Sequence, residues 1–87
     1  MKVDEIIFFF YCYNLSVLYG FSIQEILDIC SVQIPRKRCI YLLKKWARKG
    51  FYDYGVTLDL GWFEPRYMPD RYKEILNFGG KEEVSNG

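Results

Sequence analysis

The sequence predicts an α+β domain in which three helices precede a two-stranded sheet and a short C-terminal helix. Three observations support this: apolar residues recur at helical spacing before Gly50, aromatic-rich strand segments flank a later loop, and turn-forming residues separate the segments. The chain has 87 residues, 51% of them hydrophobic, which is enough for one domain. We expect that domain over residues 1–78 and a flexible tail over residues 79–87, where apolar periodicity ends.

The first helix is predicted over Asp4–Tyr19, with acidic residues in its first turn at the positive end of the helix dipole. The stretch Ile6–Gln24 carries no charge, so this helix is apolar on more than one side. One interpretation is that one face packs on its own domain and the other on a second subunit. The alternative is a membrane span over Ile6–Tyr19, against which count Asn14 and Ser16 in its middle and its minimal length.

A second helix is predicted to begin after Ser22, whose hydroxyl caps it while Glu25 reaches back to complete a capping box. It runs to about Cys30, with core positions at i, i+3, i+4 and i+7: Ile23, Ile26, Leu27 and Cys30. Ser31–Ile34 is the following turn. Pro35 is placed at the first position of a third helix, where its missing N–H costs nothing.

The third helix, Pro35–Lys49 with Gly50 as its C-terminal stop, separates apolar from basic side chains. At ~100° per residue, one side collects Cys39, Leu42, Leu43 and Trp46, and the other collects Lys37, Tyr41, Lys44 and Arg48. Residues 31–52 contain seven Lys and Arg and no acid, whereas residues 1–30 and 53–65 each carry a net charge of −3. Because a merely solubilising face usually mixes both signs, this pattern indicates an anionic partner.

Two strands are predicted at Phe51–Tyr54 and Leu60–Glu64, joined by a loop around Gly55–Asp59. Trp62 and Phe63 point to opposite sides of the second strand, so one should enter the core and the other should be exposed or at a subunit interface. After Pro65, a short helix capped by Asp70 is expected to bury three side chains: Tyr72, Ile75 and Leu76.

This order of elements resembles the winged helix-turn-helix family of DNA-binding proteins, in particular the compact regulators of bacteria, archaea and their viruses. The resemblance covers Ser22 to Glu64, and the residues that carry it are Ser22-Ile23-Gln24-Glu25-Ile26-Leu27, Cys39, Leu43, Trp46, Gly50 and Phe51. The family usually has Leu or Val at the positions of Cys39 and Trp46. Here the wing carries Asp53 and Asp59 and no Lys or Arg, unlike a wing that contacts phosphate. The excess of Phe, Tyr, Ile and Lys is typical of an AT-rich genome, such as that of a virus or plasmid.

The resemblance implies sequence-specific binding of double-stranded DNA, with helix 35–49 in the major groove. The base contacts it implies are Arg36, Lys37, Tyr41 and Gln33, and the phosphate contacts are Arg38, Lys44, Lys45 and Arg48. It further implies a small homodimeric transcriptional regulator joined through helix 4–19. Two recognition helices would then lie about one turn of DNA apart on a pseudo-palindromic site.

An enzyme is not expected, because the chain has no histidine and no nucleophile-elbow or phosphate-loop motif. Cys12, Cys30 and Cys39 fit no zinc-site spacing, so we expect no metal, cofactor or small-molecule substrate. An odd cysteine count without a signal peptide predicts reduced, buried thiols in an intracellular protein. Spacing alone leaves a disulfide open.

Two other functions stay open at this point. A winged helix also serves as a protein-interaction module without DNA binding, which the acidic wing and three aromatic residues expected to be exposed, Tyr52, Tyr54 and Trp62, favour. A small membrane protein would instead insert Ile6–Tyr19 and place its basic helix on anionic lipid.

Overall fold

The protein has an α+β architecture, which a computed structural model describes for residues 1–77. That part of the chain contains four α-helices: α1 (Val3–Tyr19), α2 (Ile23–Cys30), α3 (Arg36–Lys49) and α4 (70–77). A two-stranded antiparallel sheet, β1 (Tyr52–Asp53) and β2 (Trp62–Phe63), lies between α3 and α4 in the sequence. The predicted order of helices and strands is confirmed, while the predicted tail at 79–87 lies outside the described residues.

Local sequence accounts for the ends of the first three helices. The Glu25 N–H donates to Ser22 Oγ at 3.2 Å and the Ser22 N–H donates to Glu25 Oε1 at 3.0 Å, which confirms the capping box of α2. Gly20 and Gly50 end α1 and α3 with φ of 73° and 94°, left-handed values that favour glycine. Pro35 is the N-cap of α3 rather than its first residue, because its ψ of 139° keeps it outside the helix.

The β-hairpin is shorter than predicted, with two residues in each strand and Tyr52 opposite Phe63. A 3-10 helix, Leu58–Leu60, occupies the end of the connecting loop and the start of the predicted second strand. The Tyr52 hydroxyl donates to the Leu58 carbonyl, which holds this turn against the sheet. A Cβ at Gly61 would overlap the Tyr52 ring, so the close packing of this turn requires glycine. A second unpredicted 3-10 helix, Pro65–Tyr67, follows the sheet.

The helix α4 begins at position 70, so Asp70 lies in its first turn instead of capping it. The carbonyl of Pro69 accepts the amides of Tyr72 and Lys73 at 3.0 and 3.2 Å, and the Asp70 side chain is 96% exposed. Of the three predicted inner positions, Tyr72 is buried, while Ile75 and Leu76 are partly buried against the core.

Aromatic rings from several elements form the centre of the core. Trp46 of α3 stacks on Phe8 of α1, with ring centroids 5.3 Å apart. Phe9 of α1 contacts four rings outside α1, with centroids 5.0 to 5.9 Å apart: Trp46, Phe51, Phe63 and Tyr72. The predicted core role of Trp46 is confirmed, and of the alternating pair in β2, Phe63 is buried and Trp62 is 48% exposed. Each such ring pair adds about 0.5–1.5 kcal/mol beyond burial, so this cluster joins α1, α3, the sheet and α4.

Glu5 of α1 is a buried carboxylate that links three helices. It is 1% exposed, and it shares the spacing i, i+3, i+4 and i+7 with the other buried residues of α1: Phe8, Phe9 and Cys12. Its Oε1 accepts from Lys45 Nζ at 2.8 Å, and its Oε2 accepts from Trp46 Nε1 at 3.0 Å and from the Tyr72 hydroxyl at 2.6 Å. The helix-dipole interpretation of this acid did not anticipate these contacts, although its spacing with Phe8 and Phe9 carries the signal.

Burial and hydrogen bonding change the pKa of Glu5 in opposite directions. Burial alone would raise its pKa, but hydrogen bonds from Lys45, Tyr72 and Trp46 outweigh that effect and hold the pKa below the usual value for glutamate. The side chain is therefore ionised at neutral pH. Every buried side-chain nitrogen and oxygen in residues 1–77 has a hydrogen-bond partner, so the core contains no unsatisfied polar group there.

The three cysteines are free thiols inside the core. Burial raises the pKa of Cys12, Cys30 and Cys39, in the last case to about 11. A protonated thiol is a poor nucleophile and a poor metal ligand, so these side chains act as small apolar groups. This placement confirms the prediction of buried, unpaired cysteines.

One side of α1 enters the core and the other faces outward. The outward side exposes seven apolar residues: Val3, Ile6, Ile7, Phe10, Tyr11, Val17 and Leu18. None of the helices within residues 1–77, α1 included, combines the length and apolar character needed to cross a membrane.

Replacing Glu5 with Gln keeps its size and removes its charge. We expect the free energy of unfolding to fall by about 2–3 kcal/mol, because Lys45 then keeps a partly buried charge without its counter-ion. Urea denaturation measures this change. The matched control Glu74→Gln, at an exposed position of α4, should stay within about 0.5 kcal/mol of the unaltered chain. Equal stability of the two variants would contradict the role given to Glu5.

Acid should destabilise the fold. The pKa values of Asp4, Glu5, Glu25 and Asp59 all lie below their usual values in the folded chain. A carboxyl with a lowered folded pKa contributes stability above its unfolded pKa, and this contribution is lost as the pH falls through the folded pKa. The urea midpoint should therefore decline below about pH 4.5, where unfolded Asp and Glu begin to bind protons. The decline should be shallower for Glu5→Gln, and a midpoint that does not change between pH 6 and 3 would refute this.

Candidate nucleic-acid interface

The side of α3 that faces away from the core is basic. It carries four exposed residues, Lys37, Tyr41, Lys44 and Arg48, which we call the outward face of α3. The opposite side, formed by Cys39, Leu42, Leu43 and Trp46, is completely buried. The predicted division of this helix into an apolar and a basic side is confirmed. Because the buried side includes Trp46, the aromatic core fixes which residues α3 presents outward.

The first half of the outward face surrounds a shallow, open depression. Its lining comes from the first three turns of α3: Arg36, Lys37, Ile40, Tyr41 and Lys44. Tyr41 is 49% exposed, and the guanidinium of Arg38 lies 5.3 Å from the centre of its ring. This cation–π contact restrains the tyrosine on the surface of the helix. The N-terminal part of α3 therefore offers an aromatic ring between two lysines.

Two cations of α3 are bound to acids of α1. Arg38 donates to both carboxylate oxygens of Asp4, at 2.8 and 3.1 Å, and Lys45 donates to Glu5 at 2.8 Å. The hydrogen bond from Arg38 holds the pKa of Asp4 below its usual value, against the opposing effect of desolvation. Arg38 and Lys45 would have to release these carboxylates to reach a phosphate. We therefore assign them to holding α1 against α3 and leave them out of the candidate interface.

Arg36 has weaker acidic neighbours. Its guanidinium lies 4.0 Å from Asp28 of α2 and 3.9 Å from Asp59 of the hairpin loop, and its side chain is 52% exposed. Ion pairs of this length at an exposed site contribute little stability. Arg36 therefore stays available for other contacts at the N-terminal end of α3.

The remaining cations of α3 have no acid nearby among the residues that the structure describes. Within residues 1–77, no carboxylate oxygen lies within 4.0 Å of the charged groups of Lys37, Lys44, Arg48 or Lys49. Lys49 was not among the residues predicted to contact DNA. Three of these four lysines and arginines lie on the outward face, which is therefore a surface of uncompensated positive charge.

Gln33 occupies the turn between α2 and α3. Its side chain is exposed, and its backbone N–H donates to the Cys30 carbonyl at 3.0 Å, which fixes the turn. Of the four predicted base contacts, Lys37 and Tyr41 share the outward face, Arg36 faces α2 and the hairpin loop, and Gln33 lies before the helix.

The hairpin carries acidic rather than basic side chains. Asp59 accepts from the Thr57 hydroxyl at 2.6 Å and from Gln24 Nε2 at 3.2 Å, and these two bonds lower its pKa. Asp53 accepts the Tyr54 N–H at 2.8 Å. The bond to Gln24 attaches the loop to α2, and the hairpin has no Lys or Arg. The hairpin is therefore a poor surface for phosphate, in line with its sequence.

The part of the chain that the structure covers contains no candidate metal site. No group of three or more His, Cys, Asp or Glu within residues 1–77 is arranged to hold a metal ion. The acids Asp4, Glu5 and Asp59 are instead engaged by hydrogen-bond donors of the fold.

Comparisons with known proteins found no relative of this chain. The chain matches no protein-family model, no curated protein and no solved structure. What the chain binds is therefore inferred from its own surface, above all from the outward face of α3.

Proposed function

We propose that this chain is a winged helix-turn-helix protein that binds double-stranded DNA sequence-specifically, with α3 in the major groove, as a transcriptional regulator. The observation that carries the proposal is the outward face of α3. There Lys37, Lys44 and Arg48 have no acidic partner among residues 1–77, while Arg38 and Lys45 of the same helix are paired. A helix that pairs Arg38 and Lys45 with acids of its own domain and leaves these three exposed favours a polyanionic ligand.

The arrangement of the elements supports a winged helix-turn-helix. The helices α2 and α3 follow each other across a short turn, and the antiparallel hairpin comes directly after α3, where the wing of such a fold lies. With 14 residues, α3 is about 21 Å long, and the major groove admits an α-helix. The N-terminal half of a helix in this position reaches the base edges.

The residues divide into those that read bases and those that hold the backbone. Lys37 and Tyr41, on the first turns of α3, are assigned to base edges, together with Gln33 in the turn and Arg36 beside it. Lys44 and Arg48 lie further along the outward face and are assigned to phosphates, which position the protein without reading the sequence. The acidic loop around Asp59 repels phosphate, so the hairpin is left out of the contact.

A second candidate function rests on the hairpin. Trp62, Tyr54 and Leu60 are 48%, 40% and 53% exposed there, next to acidic residues. The expectation that Tyr52 is also exposed was wrong, because its side chain packs inside the core. An apolar and acidic surface suits a protein partner better than a nucleic acid. In this alternative the chain is a protein-interaction module that does not bind DNA.

The double substitution Lys37→Ala and Lys44→Ala tests the outward face. Fluorescence anisotropy with a random-sequence duplex of about 30 base pairs should show that binding by the unaltered chain weakens about tenfold or more between 50 and 200 mM salt. The double variant should bind at least about tenfold more weakly at 50 mM salt. Its salt dependence should also be shallower, because fewer counter-ions are released.

The matched control is Arg66→Ala with Lys73→Ala, which removes the same charge at positions 75% and 51% exposed outside α3. It should retain most of the affinity, and circular dichroism should show both double variants to be folded. Equal losses in both would reveal only a response to net charge. Absence of binding by the folded, unaltered chain at 50 mM salt would reject DNA binding and favour the protein-interaction module. Enrichment of a defined sequence from a random duplex library tests specificity.

A further inference from the structure

The depression at the N-terminal half of α3 has an apolar centre between cations. Its two apolar lining residues are Ile40 and Tyr41, and its other lining residues are cationic: Arg36, Lys37 and Lys44. Ile40 is partly buried against the core, whereas Tyr41 is 49% exposed. Lys37 and Lys44 have no carboxylate within 4.0 Å among residues 1–77. A ligand that fits this depression therefore brings an apolar group with negative charge on both sides of it.

The ring of Tyr41 is held at one edge of the depression. The Arg38 guanidinium donates to both carboxylate oxygens of Asp4, at 2.8 and 3.1 Å, and its central carbon lies 5.3 Å from the centre of the Tyr41 ring. At ~100° per residue, Arg38 lies on the α1 side of Tyr41 and Ile40 lies on the other side. A guanidinium that is itself fixed by two hydrogen bonds therefore restrains the ring on the side away from Ile40. Because the ring is already restrained, less conformational entropy is lost when a ligand contacts it.

Duplex DNA carries a group of the required kind in its major groove. Thymine displays a 5-methyl group there, whereas adenine, guanine and cytosine display hydrogen-bond donors and acceptors. Phosphates border the groove on both sides of the base edges, as Lys37 and Lys44 border the apolar centre of the depression. The depression and a thymine in the groove therefore match in both polarity and charge.

We propose that Tyr41 and Ile40 receive the 5-methyl group of a thymine, so that α3 recognises this base through an apolar contact. This inference rests on the proposed function, because it names the base feature that the outward face of α3 reads. Tyr41 is in the N-terminal half of the 14-residue α3, the part of a recognition helix that reaches base edges. Lys37 lies about 6 Å before Tyr41 along the helix axis and reaches a neighbouring base pair, while Lys44 reaches a phosphate.

The experiment compares two duplexes of about 30 base pairs that contain only A·T pairs in mixed order, one with thymine and one with uracil in every place of thymine. Uracil lacks the 5-methyl group and keeps the hydrogen-bonding edge and the phosphates. Every base pair of the thymine duplex offers a methyl group, so one lies near Tyr41 in any register of α3. Fluorescence anisotropy at 50 mM salt should show that the unaltered chain binds the thymine duplex about fourfold more tightly, as expected for burying one methyl group.

The variants assign this preference to the ring. Tyr41→Ala should bring the ratio of the two dissociation constants to about one, whereas Tyr41→Phe, which keeps the ring, should keep the ratio. Lys44→Ala should weaken binding to both duplexes by the same factor, because their phosphates are identical. The matched control is Tyr67→Ala, since Tyr67 is 58% exposed outside α3 and likewise lies 5.0 Å from the guanidinium of an arginine, Arg66. This control should leave the affinities and their ratio unchanged, and circular dichroism should show each variant to be folded.

The contrary outcomes separate this inference from the proposed function. Equal affinity of the unaltered chain for the two duplexes would overturn the thymine contact and leave DNA binding intact. A preference for thymine that persists in Tyr41→Ala would also overturn it, because the methyl group would then act at another residue or through the shape of the duplex. So would tighter binding to a single strand of the thymine duplex than to the duplex itself, which would mean that Tyr41 stacks on an unpaired base. Absence of binding to either duplex would reject the proposed function together with this inference.

Discussion

The position of α3, and with it the basic surface, depends on the buried carboxylate of Glu5. This group accepts hydrogen bonds from Lys45 and Trp46 of α3 and from Tyr72 of α4, while its own backbone belongs to α1. Three helices therefore meet at one ionised side chain inside the aromatic core. Removing one partner from such a network leaves an unpaired buried group, which is far more costly than the net gain of an ordinary hydrogen bond. The carboxylate and the aromatic core around it thus together set the rotation of α3 about its own axis.

That rotation divides the cations of α3 by their neighbours. Lys45 and Arg38 face α1, where Glu5 and Asp4 neutralise them, and both pairs are partly shielded from solvent. Lys37, Lys44 and Arg48 are left on the other side, where the described chain offers them no acid. The sequence of α3 contains seven positively charged residues. In the folded domain, the unpaired positive charge therefore forms a narrower stripe than the sequence suggests. Asp4 and Glu5, which stabilise the domain, therefore neutralise the cations on the α1 side of α3 and leave the basic surface on the side that faces away from α1.

The sequence alone predicted the local features of the fold, which depend on residues close together in the chain. The capping box at Ser22, the stop at Gly50 and the two sides of α3 follow from spacing and local backbone chemistry, and all were confirmed. Contacts between distant residues could not be predicted in this way. Arg38 is 34 positions from Asp4 and Lys45 is 40 positions from Glu5, so both cations were assigned to phosphate when nothing nearby in the sequence competed for them. The 3-10 turn that shortens the hairpin likewise has a partner far away in the sequence, because Gln24 of α2 donates to Asp59 within it.

We propose that DNA meets the outward face of α3 while Glu5 and its partners hold that helix in place. The most direct measurement is a titration of the ¹⁵N-labelled chain with duplex DNA at 50 mM salt, followed by amide and indole chemical shifts. We expect changes concentrated at the outward face of α3 and at its N-terminal neighbours Gln33 and Arg36, with the Trp46 indole N–H unmoved because it stays bonded to Glu5. Changes centred on the hairpin or on the outward apolar side of α1, or no changes in a folded sample, would contradict this.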